Sequence, residues 1–167
     1  MSTITYGNSN IVVSSAGERT MPLQPAFCAY LASTDTNVTG HGTSYVVGTN
    51  TALTERFDQN ADFNTNGIFT APVTGRFSFD NRFFVTGTTT ANLFNVFLDT
   101  SNFNYLSQET RADSNRDESI SSSVLTDMDS GDTAFLRLAV GGEAADTADL
   151  LGNGSAGYTT FSGSLIC

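Results

Sequence analysis

From Phe69 to Val85 the odd-numbered positions carry Phe69, Ala71, Val73, Phe77, Phe79, Phe83 and Val85, while the even ones are mostly Thr, Arg, Ser and Asp. Alternation with a period of two marks a β-strand with one buried face. The run is interrupted at Ala71-Pro72-Val73-Thr74-Gly75, which reads as a tight bend: Pro presets φ, and Gly relieves crowding before the strand resumes. The expectation is one strand that begins at Phe69, bends at Pro72 to Gly75, and builds the core with its odd face.

Shorter runs repeat the pattern. Phe27, Ala29 and Leu31 share one face of PAFCAYLAS, and Val124 and Met128 share one side of SSVLTDM. In DTAFLRLAV, Ala134, Leu136, Leu138 and Val140 oppose Phe135, Arg137 and Ala139, and in YTTFSGSLI, Phe161 falls with Leu165. Between them lie turn-rich stretches such as TNVTGHGTS, VTGTTTAN, DSNRDES and DSGD. About eight to ten short strands separated by turns, with almost no run at helical spacing, predict an all-β sandwich or barrel. TALTERFD, Thr51 to Asp58, is the one segment that also admits a short helical turn capped by Thr51.

At 167 residues the chain has the length of one domain. Ser, Thr and Asn supply about a third of it, with Thr suited to exposed strand positions and Asn to turns. Lysine is absent, and 17 acids against seven arginines leave a net charge of -10. That sign repels phosphate backbones and anionic lipid, so neither nucleic acid nor a membrane surface is expected as a partner. No run of about 18 apolar residues offers a membrane span, and Ile11 to Val13 is too short for the apolar region of a secretory signal. Synthesis without a signal peptide is therefore expected. Residues 1–24 are polar and end in MPLQP, which suits either a disordered tail or an arm that docks on a neighbour, ahead of a domain spanning 25–167.

The chemistry of catalysis is poorly supplied. The single histidine, His41, sits between glycine-rich neighbours in a turn, and no GxSxG, phosphate-binding loop or dinucleotide fingerprint is present. Cys28 and Cys167 stand too far apart in sequence for a CxxC or zinc pattern. No enzyme activity and no cofactor are expected. Acidic turns are the remaining lead. Asp113 to Glu118 starts like a calcium loop, but Glu118 occupies the position that needs Gly, and Val124 the one that needs Glu. Asp127, Asp129 and Asp132 form a second cluster and are the Ca²⁺ candidates; Glu143, Asp146 and Asp149 form a third. No spacing completes a coordination shell, so the balance falls to a solvated acidic rim. Asn37-Val38-Thr39 and Asn153-Gly154-Ser155 match the glycosylation pattern and read as turn residues.

Taken in order, AFCAYL, NGIFTAPVTGRFSF, SGDTAFLRL and YTTFSGSLIC resemble the globular head shared by complement C1q and the tumour necrosis factor superfamily, over about Pro25 to Cys167. Gly67 to Phe77, Gly131-Asp132 and Phe161-Ser162-Gly163 carry most of the likeness. The resemblance implies a jelly-roll sandwich of about ten strands, assembled as a compact homotrimer. It also implies that the first and last strands are neighbours on the sheet facing the threefold axis, which keeps a Cys28–Cys167 disulfide open. The likeness lacks a Gly-X-Y stem, and Thr86 to Ser119 follows no family motif.

Tyr30 and Phe84 have the wrong parity for the core and are candidate contacts at the trimer interface, the alternatives being ordinary exposed aromatics or a bulge that shifts their parity. A non-enzymatic homotrimer with a polar N-terminal arm suits a virus or phage particle, as a capsid decoration or cement protein on the virion surface with a capsid protein as partner. The alternative is an extracellular recognition head, a fibre knob or C1q-like module that binds a receptor or glycan through its loops. The loops are chiefly Ser, Thr, Asn, Gly and Asp, with no Trp anywhere, which favours the structural role.

Overall fold

The computed structural model describes residues 2–6, 9–13, 15–112, 117–144 and 146–167, and every regular element among them is a β-strand. At the N-terminus β1 (Ser2–Tyr6), β2 (Ser9–Val13) and β3 (Arg19–Thr20) pair antiparallel with one another and with no strand of the larger sheets. The described part of residues 1–24 thus holds a small sheet of its own. Thereafter come β4 (Ala26–Tyr30), β5 (Ser33–Thr39), β6 (Ser44–Val46), β7 (Thr54–Asp58), β8 (Phe63–Asn64), β9 (Ile68–Thr70) and β10 (Gly75–Thr86). The chain continues with β11 (Leu93–Thr100), β12 (Asn104–Thr110), β13 (Glu118–Met128), β14 (Thr133–Gly141), β15 (Ala148–Asn153) and β16 (Thr160–Leu165).

These build a sandwich of two antiparallel sheets. The seven-stranded sheet runs β5-β15-β10-β16-β4-β7, with β13 along the free side of β10; the six-stranded sheet runs β12-β11-β14-β9-β8, with β6 on β14. The first and last long strands, β4 and β16, are neighbours, Cys28 opposite Ser162 and Tyr30 opposite Thr160. Ten strands of five residues or more make up the two sheets, and β6, β8 and β9 are short additions. Thr54–Asp58 is one of the ten, so the helical alternative for that segment falls: its backbone pairs with β4 along an edge of the sheet.

Inward residues alternate as the pattern required. Phe27, Ala29, Phe77, Phe79, Phe83, Leu136, Leu138 and Phe161 are all buried. Phe27 lies at the centre of the aromatic packing, its ring stacked on Phe63 at 4.5 Å and on Phe69 at 5.2 Å, with Phe161 edge-on at 4.9 Å. Glycine in the Phe161-Ser162-Gly163 motif is a packing requirement: a Cβ at Gly163 would stand 2.5 Å from Phe79 and 2.7 Å from Phe27. Gly67 answers a different need, a φ of +88° together with the carbonyl of Val47, which a Cβ would meet at 2.3 Å.

Two readings of the opening run are corrected. Phe69 and Phe77 are not on one bent strand, because β9 belongs to the six-stranded sheet and β10 to the seven-stranded one. The bend at Pro72 to Gly75 carries the chain across the sandwich. Val73, expected on the core face, lies in that bend and is 44% exposed, since the backbone there follows no strand. The odd face also buries a polar residue. Asn81, 4% exposed, accepts a hydrogen bond from Ser122 Oγ at 3.0 Å, while its Nδ2 meets no partner among the described residues.

Candidate assembly face

The outer face of the seven-stranded sheet brings together both residues singled out for an interface. Even positions of β10 (Arg76, Ser78, Asp80, Arg82, Phe84) point away from the core, as do Cys28 and Tyr30 on β4. Backbone register places Tyr30 opposite Thr160 and Thr160 opposite Arg82, with Phe84 two residues further along β10. Both aromatics are half-buried within the chain. Phe84 packs edge-on against Tyr158 at 5.2 Å, and the Arg56 guanidinium lies 5.0 Å from the Tyr30 ring centroid.

Small hydroxyl side chains floor the middle of this face: Ser121 and Ser123 on β13, Ser78 on β10, Thr160, Ser162 and Ser164 on β16. Large apolar groups stand at its two sides. Leu125 on β13 is 61% exposed, and Phe57 on the opposite edge strand β7 is 50% exposed. Reading parity alone missed these two. Their signal was present, since Leu125 alternates out of phase with Val124, but only the sheet order puts them on the same face as Tyr30. Asp80 and Arg82 at the centre were also missed, because charged even positions in an amphipathic strand normally mean solvent.

Cys28 lies half-buried on this face, and burial pushes its thiol pKa up against the opposing pull of the Arg56 charge. Cys167 is exposed beyond the end of β16, its carbonyl accepting from Arg76 N–H at 2.7 Å, and both thiols are free. The family order does bring β4 and β16 side by side, but register sets Ser162, not Cys167, beside Cys28.

The acidic clusters serve the loops. Asp127 pairs with Arg76 at 3.1 Å on the surface; Asp132 Oδ2 accepts from Asn102 Nδ2 at 2.6 Å and from Asp129 N–H at 2.8 Å. Among the described residues no group of three or more His, Cys, Asp or Glu is arranged to hold a metal. The start of the other calcium-like loop, residues 113–116, lies outside the described residues, and Glu118 at its end is buried and pairs with Arg111. Glu143 is the most tightly held acid. Its Oε2 accepts from the N–H groups of Thr89, Thr90 and Ala91 at 2.6, 2.9 and 3.0 Å, and its Oε1 from Thr89 Oγ1 and Ala144 N–H. Burial raises its pKa, but the backbone donors outweigh that and bring it down to about 2. His41 is exposed, its Nδ1 accepting from Gly142 N–H at 3.0 Å.

Solved structures share this architecture. The globular domain of zebrafish complement 1qA superposes with a TM-score of 0.56 at 17% identity, covering 86% of this chain and 98% of that one. Eiger TNF from S. frugiperda gives 0.58 at 9% identity, covering 86% and 94%, and murine APRIL gives 0.57 at 10%, covering 86% and 99%. No curated protein matches the chain by sequence. The C1q domain family, however, matches residues 29–166, which span the sandwich from β4 to the end of β16. On that match and the sandwich that bears it, the chain belongs to the C1q domain family.

Proposed function

We propose that this chain is a non-enzymatic head that assembles as a homotrimer through the outer face of the seven-stranded sheet. Its role is structural, as a decoration or cement protein on a virus or phage particle, held there by residues 1–24. The observation that carries the assembly is the face itself. Tyr30, Phe57, Phe84 and Leu125 surround a floor of small hydroxyl groups on a sheet otherwise closed by its own core. Exposed large apolar groups gathered on one face are a mark of protein contact. Family membership implies the threefold arrangement.

A non-enzymatic role is supported by how the buried acids are used. Glu143 is held by backbone donors, Asp35 by the Tyr45 hydroxyl, Asp99 by Arg137 and Glu118 by Arg111, so each is a structural tie. Attachment through the N-terminus is supported by β1 to β3 forming a sheet apart from the sandwich. Three such segments on one trimer would bind a particle by effective concentration, with no single strong contact required.

Light scattering on the full chain, and on a chain beginning at Gln24, tests the assembly. A mass of three chains in both supports it, and a monomer in both overturns it. Sedimentation with particles of the source virus tests attachment: the full chain pellets and the shortened one stays in solution, whereas equal behaviour of the two removes the arm from the role. One observation favours a recognition head acting outside the cell instead. Phe103, in the turn between β11 and β12, is 61% exposed beside Tyr105, an aromatic of the kind that a binding loop presents.

A further inference from the structure

Asp80 and Arg82 sit at the centre of the outer face, two positions apart on β10 and both exposed. Among the described residues Asp80 makes no side-chain hydrogen bond or ion pair, and Arg82 has only Ser119 Oγ, 3.3 Å from its Nε. The strands on either side offer them no counter-charge. Asp80 lies between Ser123 and Ser162, and Arg82 between Ser121 and Thr160. By contrast the other described arginines of the sandwich are occupied: Arg76 by Asp127, Arg111 by Glu118, Arg137 by Asp99, Arg56 by the Tyr30 ring. A carboxylate and a guanidinium left unneutralised by each other, in a patch ringed by aromatics, would be costly to cover with an apolar partner.

We infer that Asp80 of one copy pairs with Arg82 of the next, so that three copies of this chain close a ring of alternating charges that fixes the register of the trimer. The inference rests on the homotrimer proposed above and commits the face to a second copy of this chain. Cyclic assembly makes the contact heterologous, each copy presenting a different patch to each neighbour. Two opposite charges on one strand satisfy that geometry: every Asp80 has a neighbour's Arg82 to meet, and the ring closes with no charge left over. Planar guanidinium and carboxylate groups suit a bidentate bond, which orients as well as attracts. The short hydroxyl residues on both sides leave space for the pair to be reached across the interface.

Charge reversal tests it in the full chain. Asp80→Arg places only positive charge in the ring and Arg82→Asp only negative, so each variant is expected to fall from the mass of three chains to that of one by light scattering. The double variant Asp80→Arg with Arg82→Asp restores the opposite pair with its order reversed, and is expected to recover the trimer. Circular dichroism confirms that each variant keeps its β-sheet fold, as exposed positions should. Single variants that remain trimeric, or a double variant that stays monomeric while folded, overturn the ring but leave the trimer standing. A wild-type chain that is itself monomeric overturns the assembly reading, and the ring with it.

Discussion

The rings of Phe69 and Phe79 meet nearly edge-on, centroids 5.4 Å apart and planes 69° from parallel, although their strands belong to opposite sheets. One continuous alternation in sequence is therefore folded back on itself, and its two halves face each other across the core. Phe79→Ala removes one side of that contact and is expected to cost about 3–5 kcal/mol in urea unfolding. Val73→Ala, in the exposed bend between them, should cost less than about 1 kcal/mol. A loss below 1 kcal/mol for Phe79→Ala would contradict the packing described.

Tyr45 on β6 and Asp35 on β5 tie the two sheets together from inside. Tyr45 Oη donates to Asp35 Oδ2 at 2.5 Å, and both residues are buried. Burial, and then the bond to Asp35, push the Tyr45 hydroxyl up to about 12. A folded pKa above the unfolded value of about 10 means stability complete below pH 10 and lost as pH rises toward 12. Tyr45→Phe leaves a buried carboxylate without its donor and should cost about 2–3 kcal/mol. Pairing it with Asp35→Leu should cost less than Tyr45→Phe alone, because both polar partners are then gone. Urea denaturation of the three variants decides this.

Glu143 fastens the β10–β11 turn to the loop after β14. Its pKa is held down, so its contribution is present above the unfolded value of about 4.3 and disappears as pH falls toward 2. Glu143→Ala strips four backbone donors of their acceptor and should cost on the order of 2 kcal/mol at pH 7. Thermal unfolding of wild type and variant should converge between pH 4 and pH 2. A gap that stays constant across that range would show that the carboxylate is not the cause.

Leu125 and Phe57 stand on opposite sides of the assembly face. Leu125→Asp puts a charge where a neighbour's apolar surface should lie. The expected outcome is a folded monomer by light scattering, with far-ultraviolet circular dichroism unchanged. A trimer that survives Leu125→Asp would place the contact elsewhere on the chain.

Much of the fold was legible because burial on a strand follows parity. Phe27, Ala29 and Leu31, and Leu136, Leu138 and Val140, are inward as their spacing required. Legibility ended where a contact depends on sheet order. Nothing in the spacing of Tyr30, Phe57, Asp80 and Leu125 says that they share a face, because four different strands bring them there. In sequence Glu143 belongs to an acidic cluster, yet its donors in the β10–β11 turn, Thr89, Thr90 and Ala91, lie more than fifty residues away in chain order.

Local physics, then, was written in the sequence: alternation selects strands, Pro72 and Gly75 mark a bend, and a lone turn histidine offers no triad. Tertiary structure alone decided what those pieces do to one another. A bend can continue a strand or cross to the facing sheet, and only the packing of Phe69 on Phe79 selects the crossing. An exposed even position can face water or a neighbour, and only the register across β13, β10, β16 and β4 gathers such positions into one surface. Parity is a property of each strand, whereas a face belongs to the sheet, and pairing order is settled by long-range burial.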